Sequence, residues 1–276
     1  MAFADNQGVK IYWDEQGSGP PLVLIMGLGC SSEVWRRLRA DVAKSYRTIA
    51  LDNRCAGRSD IARCSIPLMA SDVAAVMDAA GVEKAHIVGA SMGGMIAQEF
   101  ALHYPERVRA LILACTAPGG LYAVPTKLDL ILALMWRALR TPQVAMDAFI
   151  PFLYHPSTPR DRVNAEIAII KKSARSRFAL GGQVLAIFSW GSYRRLPQIS
   201  APTLVLHGDS DRLVPLSDGE LIARRIPGAR LVIIPRAGHM LATDQPELTH
   251  KAVSEFLREA EAMESKETAG SSSRSG

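Results

Sequence analysis

A serine lies between two glycines in the stretch Ala85-His86-Ile87-Val88-Gly89-Ala90-Ser91-Met92-Gly93-Gly94. The apolar run at its start is typical of a buried strand, and residues 94–102 carry apolar side chains at helical spacing. Small residues around a serine permit a tight, strained turn from strand to helix that lifts the hydroxyl out of the sheet. A helix predicted over 91–104 also points its free N-terminal amides at this place. The stretch predicts a nucleophilic Ser91; the alternative is a flexible glycine turn that happens to hold a serine.

Apolar runs and helical patterns alternate along most of the chain. Residues 9–13 have the alternation of a half-buried strand, and the preceding Asn6-Gln7-Gly8 turn indicates a hairpin. Runs typical of strands buried on both faces are 22–25, 47–51, 85–88, 108–114, 203–206 and 231–234. Helices are predicted between several of them, at 69–80, 91–104, 217–225 and 246–263. This order predicts an α/β fold with a mainly parallel eight-stranded sheet and helices on both faces.

The alternation stops at residues 118–202, which hold helical patterns but no convincing strand. These patterns are at 127–140, 142–152, 161–179 and 183–189, between a Pro-Gly-Gly turn and a proline-rich segment. We interpret 118–202 as a helical cap inserted into an α/β core of residues 1–117 and 203–263. The alternative, a pair of ordinary crossover helices, would be too short for so many residues. The Ser/Gly-rich end, 264–276, predicts a disordered tail.

A serine hydroxyl needs a base to take its proton, and the base needs a third group to orient it. Of the six histidines, His239 stands out because it follows the last predicted strand in a loop, where parallel sheets build their sites. After a serine in such a strand-to-helix turn, known as a nucleophile elbow, the expected chain order is acid and then histidine. Asp209 and Asp211 both follow the strand at 203–206. Asp211 is the expected acid, because Gly208 makes the turn and two further residues return the side chain to the histidine; Asp209 is expected to shape the loop.

Negative charge that develops on a substrate carbonyl is usually stabilised by two backbone amides. The amide of Met92, directly after the serine, is one candidate. The loop Met26-Gly27-Leu28-Gly29 after the first buried parallel strand offers the amide of Leu28 as the other. Its glycines let the main chain approach a substrate closely. Leu28 and Met92 are therefore the expected oxyanion donors.

The composition is that of a globular chain without nucleic-acid or membrane features. Of its 276 residues 48% are hydrophobic, and the formal net charge is +5. No apolar run approaches the roughly 20 residues that span a bilayer, and the start lacks a secretory signal, so a cytoplasmic location is expected. Basic residues concentrate between Arg137 and Arg195 without a nucleic-acid-binding motif; a solvated helix surface explains them, with attraction of anionic substrates as the alternative. The four cysteines lack metal-binding spacing, so no metal is expected.

These motifs in combination resemble the α/β-hydrolases over residues 8–259. Besides the elbow, the resemblance covers 26–29, 52–60, 208–215 and the pair Gly238-His239. The sequence Ser-Met-Gly-Gly-Met that starts at Ser91 is similar to that of small capped esterases and of 3-oxoadipate enol-lactonase-like proteins. The chain departs at Met26, where many relatives have histidine, and at Cys55, where the pattern has glycine. A buried, inert thiol is expected at Cys55.

The resemblance implies a serine hydrolase of small carboxylic esters or lactones, with an acyl-enzyme on Ser91 and no metal or organic cofactor. The expected partner is a small-molecule substrate, with neither nucleic acid nor membrane; the oligomeric state stays open. Residues expected to shape the substrate pocket are Met26, Trp136, Phe152, Phe188, Trp190 and Met240, with Leu134 and Met135 as further candidates, although core packing would also explain those in the cap. The same triad would serve carbon–carbon bond hydrolysis or cofactor-free perhydrolysis. A ligand receptor on a hydrolase scaffold is the alternative from a different class.

Overall fold

A computed structural model of the protein describes residues 2–120, 149–173 and 175–272. The strands are β1 Ala2–Asn6, β2 Val9–Gln16, β3 Pro21–Ile25, β4 Arg47–Leu51, β5 Ala85–Ala90, β6 Val108–Ala114, β7 Thr203–Gly208 and β8 Arg230–Ile234. They form one sheet in the order β1-β2-β4-β3-β5-β6-β7-β8. β2 is antiparallel to β1 and to β4, and the other neighbours are parallel. The predicted hairpin and the mainly parallel eight-stranded sheet are confirmed.

The helices of the described residues mostly follow the predicted pattern. They are α1 Arg36–Val42, α2 Ile66–Ala79, α3 Met92–His103, α4 Arg160–Ser173, α5 Arg177–Phe188, α6 Leu216–Arg225, α7 Leu241–Asp244 and α8 Pro246–Ser272. The prediction of one helix over 161–179 is wrong, because the hydroxyl of Ser176 accepts the amide hydrogen of Ala179 and starts a new helix, α5. The predicted helix at 127–140 and most of that at 142–152 lie outside the described residues.

Adjacent residues of the central strands contribute to different cores, because side chains alternate along a strand. Val23 and Ile25 of β3 belong to a core that includes residues of α2 and α3. Leu22 and Leu24 of the same strand belong to a second core with residues of α1 and α8. Both faces of the sheet are therefore covered by helices, as predicted, and this explains why its inner strands are apolar without alternation.

The described residues between β6 and β7 add no strand to the sheet beyond an isolated bridge of Gly119 with Gly191. They contain α4 and α5 instead, which agrees with an inserted helical cap. At the end of α4 the carbonyl of Ser173 accepts the amide hydrogen of Gly57 at 3.1 Å, and its hydroxyl bonds that of Ser31 at 2.7 Å. These bonds join α4 to the core. The boundaries at 118 and 202 stay a prediction.

The predicted disordered tail is wrong for residues 264–272, which continue helix α8. Arg109 of β6 contributes to this, because its guanidinium lies 2.7 Å from the carboxylate of Glu264. Residues 273–276 lie outside the described part. Across the described ranges, every helix is too short or too polar to cross a bilayer.

Candidate active site

The site lies at the point of the sheet where the order in which the chain adds strands reverses. The chain passes from β3 to β4 on one side and then crosses to β5 on the other. In an open parallel sheet, ligands bind beyond the carboxyl ends of the strands at such a switch point. Ile25 of β3 is in register with Gly89 of β5, so the loop after β3 lies beside Ser91. A Cβ added to Gly27 would be only 3.0 Å from Cβ of Ser91.

The turn that holds Ser91 is strained and sterically closed. Ser91 has φ +57°, in the left-handed region that costs free energy for any residue except glycine. Its amide donates to the carbonyl of Ala114 at 2.9 Å, which keeps the turn in place. A Cβ at Gly93 would lie 2.1 Å from the carbonyl oxygen of Ile25, and one at Gly89 would lie 2.3 Å from that of Gly93. Both glycines of the motif are therefore required by close backbone contact.

Two of the predicted residues, Asp211 and His239, are joined by a hydrogen bond. Oδ2 of Asp211 and Nδ1 of His239 are 2.8 Å apart, and both residues are buried. The other carboxylate oxygen accepts the amide hydrogens of Leu213 and Val214, each at 2.9 Å. A carboxylate only accepts, so the proton of a neutral His239 lies on Nδ1. Nε2 then carries no proton and can accept one, which is the state that a general base requires.

The neighbouring carboxylates have other contacts. Asp209 accepts the amide hydrogen of Arg236 at 3.1 Å, so it joins the loops after β7 and β8. Asp244 closes α7, and its carboxylate accepts hydrogens from the amide of Gly238 at 2.6 Å and the hydroxyl of Thr158 at 2.6 Å. It thereby joins the cap to the loop that carries the histidine, a function that the sequence analysis missed.

The two expected oxyanion donors stand on adjoining segments. Leu28 follows β3, and Met92 begins α3 directly after the serine. Within the described residues, no protein group accepts a hydrogen bond from either amide, so both are available to a ligand. Their part as oxyanion donors stays a prediction.

A buried glutamine of the cap holds the loop that contains Leu28. Oε1 of Gln183 accepts the amide hydrogen of Gly29 at 2.8 Å, and its Nε2 donates to the carbonyl of Arg54 at 2.8 Å. From the core side, Nδ2 of Asn53 donates to the carbonyl of Met26 at 2.6 Å. The sequence analysis missed both amide side chains. No local signal distinguishes them, because their partners are remote in the chain.

A cavity of about 570 Å³ with a mostly apolar wall contains the candidate residues. Ser91, His239 and Leu28 all line it, and so do Met26 and Met240, as predicted. Apolar lining residues that the sequence analysis missed are Trp35, Phe149, Leu153, Leu180, Val184 and Leu213. The structure therefore brings the expected nucleophile and base to one cavity. Their catalytic parts stay a prediction.

Three predicted pocket residues are not among the lining residues. Trp190 is buried in the core, and its Nε1 donates to Glu99 of α3 at 2.8 Å. Phe188 is 46% exposed at the end of α5. Phe152 contacts the guanidinium of Arg212, 5.0 Å from its ring centre. These predictions are wrong because aromatic character does not decide which face of a helix meets the cavity. Trp136, Leu134 and Met135 lie outside the described residues.

Charged groups occupy one part of the cavity wall. Lys171, Arg175 and Arg177 line it, at the end of α4 and the start of α5. Glu166 of α4 also lines it, and burial raises the pKa of this carboxyl to about 7. The hydroxyl of Thr243 donates to Glu166. The cavity therefore combines an apolar wall with a cationic part.

One group of possible metal ligands adjoins the site. Donor atoms of Cys115, Asp211 and His239 lie within 4.8 Å of one another. Metals bind the thiolate form of cysteine, but burial raises the pKa of the Cys115 thiol well above its usual value. One oxygen of Asp211 also already accepts two amide hydrogens. This donor set fits a hydrogen-bonded acid–base pair better than a metal site, and the expected absence of a cofactor stays a prediction.

Cys55 is buried, as expected, and its inertness stays a prediction that does not extend to the thiolate form. It lines the cavity, and its Sγ lies 3.1 Å from that of Cys64. The Cys64 thiol donates to the Cys55 sulfur, and together with the nearby Arg54 guanidinium it lowers the pKa of Cys55 to about 6. A thiol with a lowered pKa is reactive.

Comparisons with known proteins agree with this arrangement. A family model described as the alpha/beta hydrolase fold matches residues 20–246. A protein named as a carbamate hydrolase, RutD, from Azorhizobium caulinodans is 30% identical, and the match covers 94% of this chain and 99% of the relative. A 2-hydroxy-6-oxononadienedioate/2-hydroxy-6-oxononatrienedioate hydrolase from Comamonas testosteroni is 32% identical, over 90% of this chain and 91% of the relative. The solved structure of a thermophilic esterase from Thermogutta terrifontis matches with a TM-score of 0.83 and 28% identity, over 94% of this chain and 98% of that chain.

Proposed function

Because the chain belongs to the α/β-hydrolase family and is a hydrolase, we propose that it cleaves small carboxylic esters or lactones with Ser91 as nucleophile. One observation carries the proposal: Ser91 and His239 line the same cavity, and His239 is hydrogen-bonded to Asp211. A nucleophile, a base and an orienting acid are the three groups that acyl transfer to a serine requires.

The proposed reaction uses the free Nε2 of His239. This atom takes the proton of the Ser91 hydroxyl while Oγ attacks the carbonyl carbon, and the carbonyl electron pair moves to oxygen. The amides of Leu28 and Met92 donate to that oxyanion; a single such donor typically contributes about a hundredfold to a thousandfold to turnover. Nε2 then protonates the leaving alcohol, and water repeats the sequence on the acyl-enzyme. Asp211 keeps the imidazole oriented and stabilises its charged form.

The shape and chemistry of the cavity favour small substrates with an apolar part. About 570 Å³ is in the range of pockets for small molecules. Leu180 and Val184 of α5 and Leu153 before α4 offer apolar surface to an acyl or alcohol chain. The relative from Thermogutta terrifontis is an esterase, which supports ester cleavage for this chain.

Hydrolysis of a carbon–carbon bond beside a ketone is the second candidate. It is favoured by Lys171, Arg175 and Arg177 in the cavity wall, because a substrate carboxylate would be attracted to them. The relative from Comamonas testosteroni acts, by its name, on dienedioates and trienedioates, which carry two carboxylates. The two candidates share Ser91, Asp211 and His239 and differ in the leaving group, which is an alcohol in one and a carbon acid in the other.

The test compares wild type with Ser91→Ala. A fluorophosphonate probe should label only the wild type, and p-nitrophenyl acetate and butyrate should be turned over only by the wild type. A wild type that turns over these esters much more slowly than a 2-hydroxy-6-oxodienoate would favour the carbon–carbon candidate. In that case Arg175→Gln should raise KM for the dienoate and leave KM for the uncharged esters unchanged.

Two further alternatives have their own readouts in the same test. Formation of peracetic acid from acetate and hydrogen peroxide would indicate perhydrolysis. A folded wild type that neither labels nor turns over any substrate, yet binds a small molecule tightly, would be a receptor, and the proposal would be wrong.

A further inference from the structure

Two cysteines form a close pair in the wall of the candidate substrate cavity. Cys55 lies in the loop after β4 and lines the cavity, and its Sγ is 3.1 Å from Sγ of Cys64. A disulfide bond is about 2.05 Å long, so the two sulfurs need to approach by only about 1 Å. Cys64 lies beneath α5, where a Cβ added to Gly182 would be 3.7 Å from its sulfur. The pair is thus held between the core and the cap.

The surroundings make the two thiols chemically different. The Cys64 thiol donates a hydrogen bond to the Cys55 sulfur and, with the Arg54 guanidinium, holds the pKa of Cys55 at about 6. The same bond raises the pKa of Cys64 above its usual value. Arg54 is fixed by Asp72, whose two carboxylate oxygens each lie 2.6 Å from a guanidinium nitrogen. The bond from Cys64 and the charge of Arg54 therefore favour the thiolate form of Cys55, and the same bond keeps the proton on Cys64.

The other two cysteines lack this environment. Burial raises the pKa of Cys30 to about 12 and that of Cys115 well above its usual value. Both thiols stay protonated at neutral pH. Because the thiolate is the reactive form, they serve as internal comparisons for Cys55.

The backbone supplies a separate observation. Cys55 has φ +71°, in the region that favours glycine. Any side chain at this position is held at a cost in free energy, and such strain is common at reactive sites. The strained residue lines the cavity, so a small oxidant that enters the cavity would come close to it.

We propose that Cys55 and Cys64 are a hydroperoxide-reactive dithiol that closes to a disulfide in the wall of the substrate cavity. The Cys55 thiolate attacks the terminal oxygen of a hydroperoxide and breaks its O–O bond; the leaving alkoxide or hydroxide takes a proton. The sulfur of Cys64 then attacks the Cys55 sulfenic acid, forms the S–S bond and releases water with the Cys64 proton. In sum, two thiols and one hydroperoxide give one disulfide, one alcohol or water from the leaving group, and one further water. The cysteines are oxidised and the peroxide is reduced.

Peptide mapping of the full chain tests this directly. Reduced protein, freed of reductant, is treated with hydrogen peroxide, quenched with catalase, alkylated with iodoacetamide and digested with trypsin. Trypsin cuts after Arg54, Arg58 and Arg63, so the two cysteines fall on separate peptides, 55–58 and 64–84, that only a disulfide joins. Cys30 and Cys115 fall on two others, 11–36 and 110–127.

The linked peptide should form on peroxide treatment and disappear on reduction with dithiothreitol. Loss of alkylation at Cys55 should be at least about tenfold faster than at Cys30. In Cys64→Ser the reaction should stop at a Cys55 sulfenic acid that dimedone traps. In Cys55→Gly, which suits the positive φ and should fold, Cys64 should stay alkylatable.

The proposal is overturned if folded, peroxide-treated wild type still alkylates at both cysteines. It is equally overturned if Cys30 or Cys115 is oxidised first, or if Cys55 is oxidised beyond the sulfenic acid without forming the linked peptide. None of these readouts depends on ester turnover, so the result is independent of the proposed hydrolase activity.

Discussion

Replacing Asp211 with asparagine should nearly abolish turnover, although the substitution changes one atom. The asparagine oxygen can still accept the amide hydrogens of Leu213 and Val214, which lie 2.9 Å from Asp211 Oδ1, so the loop should keep its shape. Its nitrogen then faces Nδ1 of His239, where the carboxylate oxygen lies at 2.8 Å. An amide nitrogen only donates, so the imidazole proton must move to Nε2. A histidine protonated there cannot take the proton of Ser91.

The magnitude follows from the loss of this tautomer. Where a triad aspartate has been changed to asparagine with the geometry kept, turnover has fallen about 10⁴-fold, or about 5 kcal/mol of transition-state stabilisation. Asp209→Asn is the matched control, because it removes a carboxylate only two residues away in the same loop. Asp209 contacts the Arg236 amide at 3.1 Å, near the surface. Losing one such bond should cost about 1 kcal/mol of stability and change kcat by less than about threefold.

The assay measures kcat and KM for p-nitrophenyl butyrate with both variants and the wild type, together with thermal unfolding. Asp211→Asn should lose kcat at nearly unchanged KM, with unfolding within a few degrees of the wild type. If a folded Asp211→Asn keeps more than about a tenth of the wild-type kcat while Asp209→Asn loses most of it, our assignment of the acid is refuted.

Three other predictions concern positioning, pH and packing. Gln183→Leu leaves the amide of Gly29 without its acceptor and should lower kcat about tenfold at similar KM. Gln183→Glu can still accept that hydrogen bond, so its kcat should fall less. An equal fall in kcat for the two variants would contradict this positioning function. Burial lowers the pKa of His86 from 6.5 to about 4, so the unfolded chain binds a proton at this imidazole more tightly than the folded chain does. The free energy of unfolding should therefore fall by up to about 3 kcal/mol as the pH drops from about 6.5 to about 4. In urea titrations over this pH range, His86→Phe should lack this part of the loss. Gly93→Ala places a Cβ 2.1 Å from a backbone oxygen and should lower the free energy of unfolding by more than about 3 kcal/mol. The added Cβ of Gly181→Ala meets open space within α5, so this variant should raise the free energy of unfolding by about 0.5–1 kcal/mol. Denaturant unfolding measures both changes.

The strands were predictable because their signal is local. Runs that are buried on both faces must be apolar throughout, and the predicted bounds 47–51 and 108–114 coincide with β4 and β6. The helical errors have a tertiary or capping cause. Ser176 divides the predicted helix at 161–179, and the ion pair of Arg109 with Glu264 accompanies a helix where a tail was predicted.

The candidate site divides in the same way. Ser91, Asp211 and His239 each follow a strand, so their placement at the carboxyl edge of the sheet could be inferred from the order of elements. The pocket could not, because membership depends on which side of a cap helix faces the core. Leu180 lines the cavity, whereas Phe188 of the same helix does not.

The amino-acid sequence by itself determined the alternation of strands and helices and the strained serine turn, because backbone preferences and side-chain periodicity act over a few residues. Only the tertiary structure decided which distant segments meet. Gln183 contacts Gly29 across 154 positions and Arg54 across 129. Such contacts depend on the packing of whole elements and on the closure of long loops, and no short stretch of the chain carries that information.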